Sequence, residues 1–263
     1  MISKILIDAI DPEDCRIAKV IDTKLEEFHI ESSGRESIHG NIYKAIIAHI
    51  EPSLQAAFVD YGAERHGFLQ KHEIHSDYFQ DNLSKDRSIL KMIKRGQELL
   101  VQVTKDPHMK KGAMLTTYIS LPGRHLVVMP GIDKRGISRK IEDEDERNRL
   151  KSIVGKLKVP EGFGLIVRTA GIHSKKTHLS KDLRYLLRLW KNIKKNIMKV
   201  QAPALLYKEQ NLVLRSIRDY FTLDVTEILI NDTAVHREVK DFVKIISPKH
   251  TKIVKHYKED RPI

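Results

Sequence analysis

Cysteine and long apolar runs are what this 263-residue chain has least of. Cys15 is its only cysteine, which excludes internal disulfides and cysteine-rich zinc sites. No apolar run approaches the ~20 residues that a membrane-spanning helix requires. The N-terminus, MISKILIDAIDPED, turns acidic at Asp8 and has neither the apolar core nor the cleavage site of a signal peptide. We therefore expect a cytoplasmic protein without a membrane segment.

Acidic residues are scarce relative to basic ones. The chain has 47 Lys and Arg against 35 Asp and Glu, a formal net charge of +12 and a pI near 9.6. Such a surface attracts polyanions, and its affinity for nucleic acid should fall with salt because bound phosphates release counterions. With 41% hydrophobic residues the chain can still bury a core, and its length suggests one or two domains.

The histidines and aspartates form no recognisable metal-binding pattern. The tightest cluster, HEIH at 72–75, differs from the His-Glu-x-x-His spacing and follows a predicted strand instead of lying on a long helix. Asp8, Asp60 and Asp232 lie in or at the ends of predicted strands, but no pair of them has a familiar spacing. We interpret them as strand-end or turn aspartates, expect no metal ligand in this chain and assign no catalytic residue.

The stretch Asn41–Ile74 has the alternation of half-buried strands. Apolar and polar residues alternate along it, and Pro and Gly residues interrupt it where a small barrel would turn. Phe58, Tyr61 and Phe68 lie in or beside these strands, among basic side chains. Five-stranded barrels of the OB type stack the bases of single-stranded nucleic acid on such rings. The pattern alone leaves open whether the rings bind bases or fill the core.

The flanking segments predict a mixed α and β chain. The first 35 residues indicate a strand and a hairpin that turns at Asp22-Thr23, and a helix is expected near Ser84–Gly96. After residue 216 the pattern is helix, strand, helix, strand, with no partner sheet of its own. We expect the N-terminal strands to supply that sheet.

A longer helix, expected at about Lys181–Lys199, is amphipathic. Its apolar residues form one stripe, and its other side carries basic residues with few acids nearby. Two interpretations of the basic side stay open: a solvated surface, or a wall along the path of an RNA phosphate backbone.

Several long segments together carry a family resemblance. They are NIYKAIIAHIEPSLQAAFVDYGAERHGFL, VQVTKDPHMKKGAMLTTYISLPGRHLVVMPG, GISRKIE and GLIVRTA. The chain resembles the N-terminal half of the ribonuclease E/G family, endoribonucleases of bacterial RNA decay and processing. The resemblance implies an α+β fold of several subdomains, in which a five-stranded S1/OB-type barrel and an α/β 5′-sensor region are inserted into a ribonuclease H-like subdomain. The implied limits are 37–119 for the barrel, 120–214 for the sensor, and 1–36 with 215–263 for the ribonuclease H-like subdomain.

The resemblance also implies site residues. In the barrel, the residues at positions that bind single-stranded RNA in the family are Phe58, Tyr61, Phe68, Lys105 and Lys111. The two lysines precede Gly112 on a basic loop, which suits phosphate contacts.

The family's sensor recognises a 5′-monophosphate. The matching positions are Arg168 and Thr169 for the phosphate, with Gly123, Val127 and Arg139 around the terminal nucleotide. A guanidinium fork and a threonine hydroxyl suit a phosphate, whereas the residue pattern by itself would make Arg168-Thr169 an ordinary strand end.

The chain also departs from the family. In relatives a later DNase I-like subdomain holds Mg²⁺ on acidic residues and makes the cut, and this chain ends at Ile263, before that subdomain is expected. The zinc link that pairs subunits is likewise not matched, so we expect no cofactor here and oligomerisation only through other regions. Ala45 stands where glycine is common in S1 domains, and Ile38-His39 where lysines are common.

Three functions are compatible with these features. The leading one is the RNA-binding and 5′-monophosphate-sensing portion of a single-strand-specific endoribonuclease. The alternative is a stand-alone, non-catalytic RNA-binding protein that protects or regulates RNA. A translation factor of the S1 type would share the barrel but gives no reason for the Arg168-Thr169 pocket.

Overall fold

The computed structural model describes residues 2–11, 14–32, 37–80, 88–222, 224–259, 261 and 263. Strands and helices within these residues are numbered in chain order. The strands are β1 Ser3–Asp8, β2 Asp14–Ile21, β3 Lys24–Ser32, β4 Ile42–Glu51, β5 Ala56–Asp60, β6 Gly67–Gln70, β7 Glu98–Lys105, β8 Met114–Thr116, β9 Leu121–Pro122, β10 Leu126–Pro130, β11 Arg135–Ile137, β12 Phe163–Val167, β13 Ala204–Tyr207, β14 Val225–Ile230 and β15 Val254–His256. The α-helices are α1 Ile89–Met92, α2 Glu144–Gly155, α3 Lys176–Ile197, α4 Leu212–Tyr220 and α5 Thr233–Ile246.

The chain forms two compact units. Met1–Ser37 and Gln210–Ile263 make up the first unit, and Ile38–Glu209 make up the second. The second unit is therefore one continuous insertion between the two halves of the first.

The first unit contains a five-stranded mixed sheet of order β15-β14-β1-β2-β3. β1 pairs parallel to β14 and antiparallel to β2, so the N-terminal strands supply the sheet for the C-terminal α/β segment, as expected. Ile5 and Ile7 point to the side that packs against α4 and α5, because alternate residues of a strand face the same way.

The second unit contains a closed barrel. Its six-stranded sheet has the order β13-β4-β5-β6-β8-β7, and the additional pairing of β4 with β7 closes all of these strands except β13 into a five-stranded barrel. Inward residues such as Ala45, Ile47 and Val59 form its core, which explains the alternation in the sequence. The predicted OB-type barrel is confirmed.

A four-stranded sheet of order β11-β12-β10-β9 follows the barrel in the same unit. α2 and α3 cover it with apolar residues spaced three and four apart, and α3 contributes Leu179, Leu183, Leu186 and Ile193. Asp143 caps α2 by accepting a hydrogen bond from the backbone N–H of Glu146 at 2.8 Å, and three acids follow in the first turn.

Two helix predictions differ from the structure. Of the helix expected near Ser84–Gly96, only Ile89–Met92 is helical, and residues 84–87 lie outside the described residues. Gly96 has φ +79° and donates its N–H to Ile47 O at 2.8 Å, so the chain turns there into β7. The long basic helix begins earlier than expected, at Lys176 instead of Lys181, and ends at Ile197.

Candidate nucleic-acid interface

Phe58 and Phe68 form an aromatic platform on the barrel. They are paired directly across β5 and β6, and their ring centroids lie 5.7 Å apart in an edge-to-face arrangement. His49 stacks on Phe58 with a centroid distance of 6.4 Å. Both phenyl rings are half-buried, which leaves one side of the pair available for stacking against a base.

Tyr61 lies deeper than the other two predicted aromatic contacts. Its side chain is 3% exposed and packs edge-to-face against Tyr43 at 5.1 Å. Burial raises the pKa of the Tyr61 phenol. A ring with so little exposed surface can support the barrel wall behind an RNA site better than it can stack on a base.

Lys105 and Lys111 lie at the ends of an exposed loop between β7 and β8. Both lysines are exposed, and the loop is tied by reciprocal backbone hydrogen bonds between His108 and Lys111 of 3.1 and 2.9 Å. The Arg65 guanidinium donates to the Met109 carbonyl and anchors the loop to the chain before β6. Two cations are therefore held on an ordered loop, a geometry suited to phosphate contacts.

Gly112 allows this loop to approach β6. A Cβ atom at this position would lie 1.9 Å from the His66 carbonyl oxygen. The neighbouring Ala113 carbonyl accepts the Phe68 N–H at 2.7 Å. The basic loop and the aromatic platform are thus coupled through one backbone contact.

The predicted sensor residues meet at one end of the four-stranded sheet. Arg168 follows β12, and its Nη1 donates to the Gly123 carbonyl at 2.8 Å. Thr169 Oγ1 lies 3.1 Å from the Oγ of Ser138, the residue that follows β11 and precedes Arg139. Val127 lies on β10, between Ile166 of β12 and Pro122 of β9. Arg139 is exposed.

Asp182 of α3 is a positioning residue that the sequence analysis did not find. Its carboxylate accepts the backbone N–H groups of His125 and Leu126 at 2.8 and 2.9 Å, and so fixes the turn that begins at Gly123. A Cβ atom on Gly123 would lie 2.6 Å from both carboxylate oxygens, so the turn requires glycine. Desolvation raises the pKa of Asp182, against the opposing effect of the backbone hydrogen bonds. The signal in the sequence is that Asp182 is the only acid of α3.

His125, whose carbonyl accepts the Arg168 N–H, carries a neutral ring at this end of the sheet. Burial lowers its pKa from 6.5 to about 4, with further lowering by the cations Arg124 and Arg168 and by His178. The His178 ring stacks on it with a centroid distance of 6.2 Å. At neutral pH, the His125 ring therefore adds no positive charge to that of Arg124 and Arg168.

The aspartates considered for metal binding have other partners. Asp8 Oδ1 accepts a hydrogen bond from Asn231 Nδ2 at 2.8 Å, Asp60 accepts the Gly62 N–H at 2.9 Å, and Asp232 caps α5. Within the described residues, no group of three or more His, Cys, Asp or Glu side chains could hold a metal ion. No helix among those described is long and apolar enough to span a membrane.

Comparisons with known proteins agree with this geometry. A profile of the Ribonuclease E/G family matches residues 120–263, and a profile of the S1 RNA binding domain matches residues 36–116. The chain is 43% identical to Ribonuclease E of Haemophilus influenzae over 99% of this chain and 28% of that relative. It is likewise 43% identical to Ribonuclease E of Escherichia coli K12, over 99% of this chain and 25% of that relative.

A shorter relative is matched over a larger share of its length. Ribonuclease G of Escherichia coli K12 is 35% identical over 100% of this chain and 54% of that relative. The chain thus spans about a quarter of the ribonuclease E relatives and about half of the ribonuclease G relative. The family profile covers more than half of this chain's residues, and an S1 domain with a closed barrel precedes the matched region, so this chain belongs to the ribonuclease E/G family.

Proposed function

We propose that this chain is the RNA-binding and 5′-monophosphate-sensing portion of a single-strand-specific endoribonuclease of RNA decay and processing. The observation that carries the proposal is the meeting of Arg168, Thr169 and Gly123 at one end of a sheet. These residues lie in the same compact unit as the Phe58–Phe68 platform. One unit can therefore hold both the 5′ end and a downstream part of one strand.

The chemistry of the sensor end suits a terminal phosphate. A guanidinium binds phosphate oxygens in a fixed planar geometry, and the Thr169 hydroxyl can add a further hydrogen bond. Arg168 is held in place by the Gly123 carbonyl, which reduces the conformational freedom lost on binding. Val127 and Arg139 would then contact the first nucleotide.

The barrel suits the single-stranded body of the RNA. Phe58 and Phe68 would stack on bases, and Lys105 and Lys111 would contact phosphates, which gives binding with little sequence preference. We place Tyr61 behind this surface, as part of the wall that supports it.

The remaining assignments follow the family. We propose a barrel domain at 37–119, a sensor region at 120–214 and a discontinuous ribonuclease H-like subdomain at 1–36 and 215–263. Cleavage with Mg²⁺ would belong to a DNase I-like subdomain outside this chain, and oligomerisation would also use other regions. The site of action would be the cytoplasm.

Two RNAs of identical sequence, one with a 5′-monophosphate and one with a 5′-hydroxyl, separate the two binding functions. We expect Arg168→Ala to remove the preference for the monophosphate and to leave 5′-hydroxyl binding within about twofold. Phe58→Ala should weaken the binding of both RNAs alike, by roughly 5- to 100-fold, because a stacking contact contributes ~1–3 kcal/mol. Fluorescence anisotropy with short A/U-rich single strands measures both effects.

Matched variants control for charge and aromatic area. Arg135→Ala removes an exposed arginine at the start of β11, whereas Ser138 and Arg139 follow its end. Phe28→Ala removes a phenyl ring of the first unit that is 50% exposed. Neither should change binding by more than about twofold. If Arg168→Ala weakens the binding of both RNAs equally, Arg168 is a general phosphate contact and the sensing proposal is wrong.

A further inference from the structure

The exposed side of α3 carries a straight row of cations. Leu179, Leu183, Leu186 and Ile193 are buried against the sheet. On the opposite side, basic residues recur at intervals of three and four, the spacing that places side chains above one another on a helix. These residues, which we call the basic stripe, are all exposed: Lys181, Arg184, Arg188, Lys191 and Lys195.

The charge of the basic stripe is not compensated within the described residues. The only acid of α3, Asp182, accepts hydrogen bonds from the turn after Gly123, and no ion pair of the described chain includes a stripe residue. Like charges three and four positions apart repel each other along a helix. α2 differs, because Glu146 pairs with Arg149 at 2.6 Å. Solvated surfaces usually mix both signs in this way, so the basic stripe suits an extended anion.

The shape of the basic stripe favours phosphates over bases. From Lys181 to Lys195 it is about 21 Å long, with neighbouring cations about 4.5–6 Å apart along the axis. The exposed aromatic residue of α3, Tyr185, lies to the side of the row. Single-strand sites combine cations with stacking rings, as on the barrel, whereas base-paired RNA is bound through its phosphates and its shape.

The position of α3 connects the two candidate sites of the second unit. Near its start, Asp182 holds the turn of the sensor, and His178 stacks on His125. Just beyond its end, the Val200 carbonyl accepts a hydrogen bond from Lys44 Nζ of the barrel at 3.1 Å. The helix that carries the basic stripe therefore runs from the sensor towards the barrel.

We propose that the basic stripe binds the sugar–phosphate backbone of a base-paired RNA segment. The class of partner rests on the proposed RNA-binding function, whereas the location rests on the charge of α3. RNAs that carry a hairpin beside their single-stranded region would then be held at a third place. An anionic membrane would match the charge, but the apolar side of α3 is buried in the unit and cannot insert into lipid.

A blunt RNA duplex with 5′-hydroxyl ends tests the basic stripe without a 5′-phosphate or a single strand. The variant Arg184→Glu/Arg188→Glu/Lys191→Glu should weaken duplex binding by roughly 30-fold or more at low salt. The slope of log affinity against log salt should become shallower by about 3, one for each phosphate contact removed. The triple Gln variant at the same positions should show a smaller loss in the same direction, without introducing negative charge.

The control is Lys151→Glu/Lys156→Glu/Lys158→Glu, which changes three exposed lysines in or after α2 in the same unit. An equal loss of duplex binding in this control overturns the proposal, because the net field alone would explain it. The same is true if the stripe variant weakens a 5′-hydroxyl single strand as much as the duplex. Vesicles containing phosphatidylglycerol form the last arm, and stripe-dependent vesicle binding without duplex binding identifies a membrane surface instead.

These arms separate the two proposals. Loss of the 5′-phosphate preference on single strands concerns Arg168 and the proposed function. Loss of duplex binding with intact single-strand binding concerns the basic stripe alone.

Discussion

At the scale of single residues, the proposed sensor end is shaped by a half-buried carboxylate that makes no predicted contact with RNA. Asp182 would be costly to bury alone, but backbone N–H groups of the 123–126 turn stabilise it. The same hydrogen bonds fix Gly123, whose carbonyl in turn accepts from Arg168. The position of the Arg168 guanidinium, which we propose binds the phosphate, is therefore determined through the 123–126 turn by α3.

His125 gives this end of the molecule a pH dependence. Its folded pKa of about 4 lies below its ordinary 6.5, so the unfolded chain binds a proton over that range while the folded chain does not. Stability should therefore fall as the pH is lowered from about 7 towards 4, and this contribution should level off below. Because the ring is partly exposed, we expect a loss of roughly 1–2 kcal/mol. Urea unfolding of wild type and His125→Gln at pH 7 and 4.5 measures it.

The difference in unfolding free energy between wild type and His125→Gln separates the effect of this ring from other effects of acid. His72→Gln is the control, because the His72 side chain is 71% exposed. The stability of His72→Gln should depend on pH as that of wild type does, whereas the stability of His125→Gln should change less between pH 7 and 4.5. Parallel profiles for wild type and His125→Gln would contradict the assignment.

At the scale of elements, sequence periodicity predicted local structure well and pairing poorly. The hairpin at Asp22-Thr23, the barrel strands and α5 all follow from alternation, turn residues or helical spacing. The parallel pairing of β6 with β8 and the addition of β13 to β4 do not. These contacts join residues far apart in sequence, and nothing in a short window specifies which distant strand edge will be met.

The candidate site residues were likewise predictable where a local pattern was enough and not where distant contacts decide. Alternation placed Phe58 and Phe68 on strands, but only the resemblance favoured RNA contacts over core packing. Asp182 was not found because its partners are backbone N–H groups more than fifty positions away, and a backbone N–H has no residue type. Tyr61 looked equivalent to the two phenylalanines in sequence, and only the fold separates its 3% exposure from theirs.

The loop between β7 and β8 gives an element-scale prediction. Gly112→Ala would push a methyl group into the His66 carbonyl, so the loop must move away from β6. We expect a loss of roughly 1–3 kcal/mol in the free energy of unfolding, together with weaker binding of single-stranded RNA through a displaced Phe68. Urea unfolding and anisotropy on the same samples measure both.

Gly155 is the matched control for this change. It ends α2, and an added Cβ would meet nothing within 4 Å. Gly155→Ala should leave RNA binding unchanged and should stabilise the chain by up to about 1 kcal/mol, since alanine favours helix. If both alanine variants behave alike, the close approach at Gly112 does not matter.

At the scale of the whole molecule, both ends of the inserted unit are held close together. In the second unit, Asn41 Oδ1 accepts the Glu209 N–H at 2.8 Å. In the first, the two oxygens of Glu31 accept the N–H groups of Ser37 and Leu212, both at 3.2 Å. Hydrogen bonds within each unit therefore hold its chain ends at the two connections close together, as expected where a compact domain is inserted into another.

Expressing the two units as separate proteins tests whether RNA binding belongs to the second unit alone. Residues 38–209 contain one buried core inside the barrel and a second between the four-stranded sheet of the proposed sensor and its helices, so we expect this fragment to fold alone. It should bind 5′-monophosphorylated single strands within about threefold of the full chain and keep the preference over 5′-hydroxyl RNA. Residues 1–37 joined to 210–263 by a linker of about four Gly and Ser residues should fold but show neither property. A folded 38–209 fragment that has lost the preference would contradict the assignment of 5′-phosphate sensing to the second unit, because Arg168, Gly123 and Asp182 would all still be present.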